Sequence, residues 1–144
     1  MGDKVLVVDD DQEMRDSLGN LLEGEGYEVI LGSNGEEAIE LAEKENPQVI
    51  LLDFEMPGID GIEACKRLKS GEKTASIPII MITAYKNKKP DAIEAGADDF
   101  VNKPFDPTEL SIRIKTILRM QHLTNELEKA AAYIKEFQKN LPKP

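Results

Sequence analysis

"KVLVVDDDQ" (residues 4–12) runs five strand-forming residues straight into three consecutive carboxylates. The apolar run does not alternate with polar residues, which is the pattern of a strand buried on both faces in a parallel sheet. Asp9, Asp10 and Asp11 then stand together at its end. Two unit charges about 4 Å apart repel by ~1 kcal/mol in water and ~4 kcal/mol at the effective dielectric of a protein surface. The cluster therefore opposes folding unless something offsets it, and a bound cation is the first candidate. Asp11 also stands where the next helix begins, where a carboxylate favours exposed backbone N–H groups.

The same alternation continues along the chain. Short β-branched runs recur at 4–8 (KVLVV), 27–31 (YEVIL), 48–52 (QVILL), 77–82 (IPIIMI) and 99–102 (DFVN). Between them, apolar residues fall three or four apart: Met14, Leu18, Leu21 and Leu22; Ala38, Leu41 and Ala42; Ile62, Cys65 and Leu68; then Ala92, Ile93 and Ala97. These spacings predict helices. Ser33 with Glu36 reads as a capping box opening the second helix, and Gly24 or Gly26 closes the first. Asp106-Pro107-Thr108-Glu109 opens the fifth, with a capping carboxylate and proline at the first helical position. Strands alternating with helices imply right-handed crossovers and an α/β fold, a five-stranded parallel sheet covered on both faces.

Composition narrows the function classes. At 144 residues, one domain with a real core plus an appendage is expected. The net charge of -10 opposes a nucleic-acid-binding surface, which needs clustered Lys and Arg. The single Cys65 forms no internal disulfide and reads as a buried helix residue. No stretch reaches the ~18 apolar residues of a membrane span, so no membrane partner is expected and the cytoplasm is the expected compartment. His122, the only histidine, falls on an exposed helix face, and the Lys86–Lys89 cluster reads as a solvated loop.

In open α/β sheets, ligand sites form beyond the carboxyl ends of the strands. Strand one ends in Asp9 and Asp10, strand three in Asp53, strand four in Thr83, and strand five leads to Lys103. One edge would thus gather an acidic pair, a lone carboxylate, a hydroxyl and an ammonium group. Magnesium suits such a rim, because it takes oxygen ligands and keeps several waters. With that charge neutralised, Asp53 becomes a nucleophile toward phosphorus, forming an aspartyl phosphate. Lys103 and Thr83 would then hold phosphoryl oxygens.

These residues carry a resemblance. From about residue 3 to 120 the chain resembles the receiver domain of bacterial two-component response regulators, through "VLVVDDD", "LLDFEMPGIDG", "MITAY" and "FVNKPF" in order and at similar spacing. The resemblance implies a flavodoxin-like, doubly wound sheet of strand order 2-1-3-4-5 with five helices. It implies Asp9 and Asp10 as magnesium ligands, Asp53 as phosphoacceptor and further ligand, and the Glu55 backbone carbonyl as another. Pro57-Gly58 matches the turn after the acceptor, and Asp60-Gly61 the start of the next helix. Thr83, followed by the small Ala84, matches the hydroxyl switch, Phe100 the aromatic switch and Lys103 the phosphate-contacting lysine. The Lys103-Pro104 bond matches one that is often cis in the family. Glu55 and Tyr85 occupy positions that tune dephosphorylation. The implied partner is a cognate sensor histidine kinase. Phosphorylation draws Thr83 toward the phosphoryl group, Phe100 turns inward, and the face of the fourth helix, fifth strand and fifth helix changes.

A receiver alone would end near residue 120, yet helical composition continues to Asn140. Residues 1–120 are therefore read as the receiver and 121–144 as a helical, coiled-coil linker toward an output domain. Met120, Leu123, Leu127, Ala130, Ile134, Phe137 and Leu141 alternate steps of three and four, a heptad seam out of phase with Leu110, Ile114 and Ile117. The seam serves a parallel homodimer or packs back on the receiver. The closing "LPKP" reads as a linker start, and "LEKAAAYIKEFQKNLPKP" (127–144) resembles the lead-in to regulator-type serine/threonine phosphatases; a cyclic-dinucleotide enzyme is the other expected output. Two further readings remain at this stage: a degenerate receiver acting as a phosphorylation-independent dimerisation module, and a magnesium-dependent aspartyl-phosphate phosphatase.

Overall fold

In a computed structural model, which describes residues 2–142, the chain forms a parallel sheet of five strands: β1 (Lys4–Val8), β2 (Glu28–Gly32), β3 (Val49–Asp53), β4 (Ile79–Thr83) and β5 (Asp99–Asn102). Their order is β2-β1-β3-β4-β5, and all four pairings are parallel. The expected doubly wound architecture is present. Helices α1 (Gln12–Gly24), α2 (Gly35–Glu45), α3 (Gly61–Ser70), α4 (Lys89–Glu94) and α5 (Pro107–Lys139) supply the crossovers, with a 3₁₀ turn at Lys86–Lys88 before α4.

Each central strand is sealed on two sides, which is why its residues are apolar without alternation. Leu6, Ile50, Leu52, Ile79 and Met81 face α2, α3 and α4 side chains such as Ala42, Leu68 and Ala92. Val5, Val7, Leu51, Ile80 and Val101 face the other way, onto Leu18 and Leu22 of α1 and Leu110, Ile114 and Leu118 of α5. Cys65 is fully buried as expected, and burial pushes its thiol up to about 11, leaving it protonated.

The helix starts follow the local sequence with one correction. Asp11 caps α1, accepting from the Glu13 N–H at 3.0 Å, and Asp106 caps α5, accepting from the Thr108 N–H at 2.9 Å. At α2 the expected Ser33–Glu36 box is displaced by one residue. Asn34 is the cap and accepts from the Glu37 N–H at 2.9 Å, while the Glu37 carboxylate reaches back to the Ser33 N–H and hydroxyl. An Asn caps as well as a Ser, and the extended Asn34 backbone places its carbonyl on the Ala38 N–H. Strands β3 and β4 end in Asp53 and Thr83 as read from the sequence, whereas β1 stops at Val8, so Asp9 and Asp10 lie just beyond the strand rather than ending it.

Helix α5 runs unbroken past residue 120. Its buried residues stop at Leu118, a core position that the sequence pattern had not singled out. Beyond it Met120, Leu123, Leu127, Ile134, Phe137 and Leu141 are 51% to 70% exposed. The seam therefore does not pack back on the receiver. The last two residues of "LPKP", 143 and 144, lie outside the described residues.

Candidate functional site

The carboxyl ends of β1 and β3 place Asp9 and Asp53 side by side, because Val8 pairs with Leu52 across the ladder. Both are buried, at 3% and 5% exposure, while Asp10 is exposed on the rim. One carboxylate oxygen from each of Asp9, Asp10 and Asp53 lies within 4.8 Å of the others. The donor set is all oxygen and only three side chains deep, which fits a hard cation that retains waters. Asp11 is outside this cluster, occupied as the α1 cap.

Lys103 arrives from beyond β5. Its Nζ donates at 3.1 Å to Asp9 Oδ2 and at 3.1 Å to Asp53 Oδ1. The chain reaches that position because the Lys103 N–H donates to the Thr83 carbonyl at 2.7 Å, and the following Lys103–Pro104 peptide is cis as expected. Burial pushes the Asp53 carboxyl up to about 6, with the Asp9 charge adding to the rise and Lys103 opposing it. Burial alone would lower the Lys103 pKa, but the two carboxylates outweigh it and the ammonium form is favoured. One ammonium between two buried carboxylates leaves the rim with a surplus of negative charge.

The loop after β3 is held tightly against the site. Gly58 adopts φ +82°, a conformation that glycine takes without penalty. Gly61 lies so close to β3 that a Cβ there would meet the Asp53 carbonyl at 2.5 Å and the Phe54 Cα at 2.8 Å. Asp60 caps α3, accepting from the Glu63 N–H at 2.9 Å, and the Gly61 N–H donates to the Phe54 carbonyl at 2.7 Å, which ties the helix start to the end of β3.

The remaining expected residues divide between rim and core. Thr83 is buried one residue past the β4 partner of Asp53, and its Oγ1 accepts from the Tyr85 N–H at 3.1 Å. That contact leaves the hydroxyl proton free to be donated. Glu55 and Tyr85 face each other: the Glu55 carboxylate at the Tyr85 hydroxyl raises the phenol pKa. Phe100 is 7% exposed and packs in the core, so its ring is already inward. His122 is exposed as expected, with Nε2 3.4 Å from an Asp3 carboxylate oxygen. The lysine cluster is also largely exposed, although Lys88 places its ammonium 5.8 Å from the centre of the Phe54 ring. Arg15 escaped the sequence reading altogether. Its Nη1 donates to the Asp9 carbonyl at 2.6 Å, and the available signal was a long basic side chain in the first turn of α1, pointing back toward the helix start as helical side chains do.

The profile of the response regulator receiver domain matches residues 5–115. The chain belongs to this family. Receiver relatives include the alkaline phosphatase synthesis transcriptional regulatory protein PhoP of Bacillus subtilis, 44% identical over 125 residues, which are 85% of this chain and 51% of that protein. The phosphate regulon transcriptional regulatory protein PhoB of Pseudomonas aeruginosa is 42% identical, over 83% of this chain and 53% of that one. The chain thus spans about half the length of the curated relatives it matches. Among solved receivers, a response regulator from Chloroflexus aurantiacus superposes with a TM-score of 0.79 at 40% identity, covering 83% of this chain and 99% of its own. The receiver domain of sensor histidine kinase PA1611 from Pseudomonas aeruginosa superposes with a TM-score of 0.77 at 28% identity, over 82% and 98% of the two chains; a magnesium ion is coordinated in its active site cleft. Among the described residues no helix of this receiver is long and apolar enough to cross a membrane.

Proposed function

We propose that this receiver is a phosphorylation-dependent switch in which Asp53 accepts a phosphoryl group from a sensor histidine kinase or a small phosphodonor. The observation that carries the reading is the shared Lys103 ammonium, 3.1 Å from both Asp9 and Asp53, in a rim that still holds excess negative charge. A carboxylate oxygen of Asp53 attacks phosphorus; the new O–P bond forms as the donor's P–N or P–O bond breaks, and the leaving group takes the electron pair. Lys103 follows the charge onto a phosphoryl oxygen, and the free proton of Thr83 is donated to another. A magnesium ion, with Asp9, Asp10, Asp53 and the Glu55 backbone carbonyl as its proposed ligands, would supply the positive charge that lets two anions meet. The family resemblance assigns the tuning of the acyl phosphate's lifetime to Glu55 and Tyr85, and the interaction between these two side chains couples them in that role.

In this proposal the chemistry is confined to the receiver itself and no separate substrate is turned over, which sets aside the phosphatase reading. Asp53, Thr83 and Lys103, all in place, speak against a degenerate module. Thr83 and Phe100 form the switch, with the buried Phe100 as its inward position, and the face of α4, β5 and α5 answers to them. Residues 1–120 act as the receiver and 121–144 as the relay. The exposed seam from Met120 to Leu141 supports pairing with a second copy and transmission to an output domain. The tail's resemblance supports a serine/threonine phosphatase output, with a cyclic-dinucleotide enzyme as the other proposed output, and the relatives named as transcriptional regulators support a DNA-binding one; this acidic chain itself is proposed to bind no nucleic acid. The exchange with the kinase is set in the cytoplasm.

The test is intact mass after incubation with acetyl phosphate, with and without magnesium, for wild type and Asp53→Asn, with size exclusion on the same samples. One phosphoryl gain that needs both magnesium and Asp53 is expected. Equal gain in Asp53→Asn, or none in wild type with any donor or candidate kinase, overturns the reading.

A further inference from the structure

Asp9 and Asp10 are consecutive at a strand end, where side chains ordinarily point to opposite faces, yet their oxygens lie within one 4.8 Å cluster. Asp9 is held directly: Lys103 donates to its Oδ2, the Asp11 N–H donates to its Oδ1 at 2.9 Å, and its own N–H donates to the Gly32 carbonyl at 3.2 Å. Asp53 is held by Lys103. Among the described residues no side-chain hydrogen bond holds Asp10, so its carboxylate is aimed only by the backbone that carries it.

That backbone is gripped at one place by a charged side chain. Arg15 Nη1 donates to the carbonyl of Asp9, the oxygen of the peptide plane joining Asp9 to Asp10, at 2.6 Å. The Arg15 N–H also donates to the Asp11 carbonyl at 3.0 Å, closing the other side of the same turn. Arg15 thus braces the β1–α1 turn through the Asp9 and Asp11 carbonyls.

We propose that Arg15 is a positioning residue: by fixing the Asp9–Asp10 peptide plane it aims the otherwise unsupported Asp10 carboxylate at the cation site. The proposal rests on the magnesium reading above. It makes a prediction of opposite sign to simple electrostatics. Removing a positive charge beside a cation site should tighten cation binding, whereas removing a brace should weaken it, and loss of supporting contacts around metal sites typically weakens affinity tenfold or more.

The experiment is calorimetric titration of the full chain with magnesium chloride at neutral pH, beside thermal melts of each variant. Arg15→Met is expected to bind about tenfold more weakly than wild type, and Arg15→Lys, which keeps the charge and one donor direction, to fall between them. In an Asp10→Asn background the further change Arg15→Met should alter affinity by about twofold or less, because the two act through one group. Unchanged or tighter binding by Arg15→Met overturns the proposal. So does equal weakening with and without the Asp10 carboxylate, which would mean general loosening of the site. If Arg15→Met fails to fold, the same cycle is read with Arg15→Lys, and binding by Arg15→Lys equal to wild type overturns the proposal. Wild type that binds no magnesium defeats the functional reading instead, so the two failures are distinct.

Discussion

The rim of the sheet and the far half of α5 are opposites. At the rim, Asp9, Asp53 and Lys103 are polar groups pulled into burial, each with a partner at about hydrogen-bond distance. In the tail, Met120, Leu127 and Phe137 are apolar groups left in water with no partner among the described residues. Both arrangements oppose stability when the chain is alone, and in the proposed function each is offset by binding: an ion and a phosphoryl group at the rim, a second copy at the tail. Helix α5 joins the two. It is one hydrogen-bonded element but two energetic ones, the first half secured by the sheet and the second by its own backbone and exposed ion pairs such as Lys129–Glu126.

The sharpest test of that division is a pair of truncations in α5. Ile114→Ala, in the sealed half, should lower stability by ~2–5 kcal/mol through lost burial and a cavity. Leu127→Ala should stay within ~0.5 kcal/mol in dilute solution and act only on association at high protein concentration. Urea denaturation of the two variants reads this; a large dilute-solution loss at Leu127 would break the comparison. Next in size is Gly61→Ala. Its Cβ would press on the backbone of Asp53 and Phe54, so a loss of ~1–3 kcal/mol is expected, together with slower phosphoryl gain by intact mass.

The rim's own strain appears in a pH titration. The folded pKa of Asp53, about 6, lies above its ordinary value of 3.8, so the folded state holds the proton more tightly than the unfolded chain. Its contribution to stability is full below about pH 4 and is lost as pH rises through about 6. Two pK units correspond to ~3 kcal/mol, and solvent access at the open rim reduces this to about 1–2 kcal/mol. Asp53→Asn, without divalent ions, should therefore be the more stable protein at neutral pH by about that amount. The gap should close on acidification or on adding magnesium, and thermal melts across pH would show its absence. The smallest effect is expected at the start of α5. Asp106→Ala removes the cap on the Thr108 N–H and should lower the melting midpoint by the equivalent of ~1 kcal/mol, without changing tail association.

Strands and helices were legible because burial on two faces forces continuous apolar runs, and helices covering a sheet need apolar residues three or four apart. Leu6, Ile50 and Ile79 could be assigned to the core from that pattern alone. What misled was local choice between near-equivalent chemistries: Asn34 and Ser33 both cap well, and only the path of the chain after β2 decides between them. The candidate site was legible at Asp9, Asp10, Asp53, Thr83 and Lys103, since each sits at or just past a strand end. Arg15 was not, because a surface arginine in a first helical turn is unremarkable until its partner is seen to be the Asp9 carbonyl.

The sequence by itself therefore determined the order of elements, the identity of the rim residues and the change of register in the last helix, all of which follow from residue type and spacing. Tertiary structure alone decided three things. Lys103 reaches back 94 and 50 residues to share its ammonium between Asp9 and Asp53, Phe100 already lies in the core, and the seam beyond Leu118 remains uncovered. Each depends on where distant segments stop relative to one another, a matter of packing that no local pattern records.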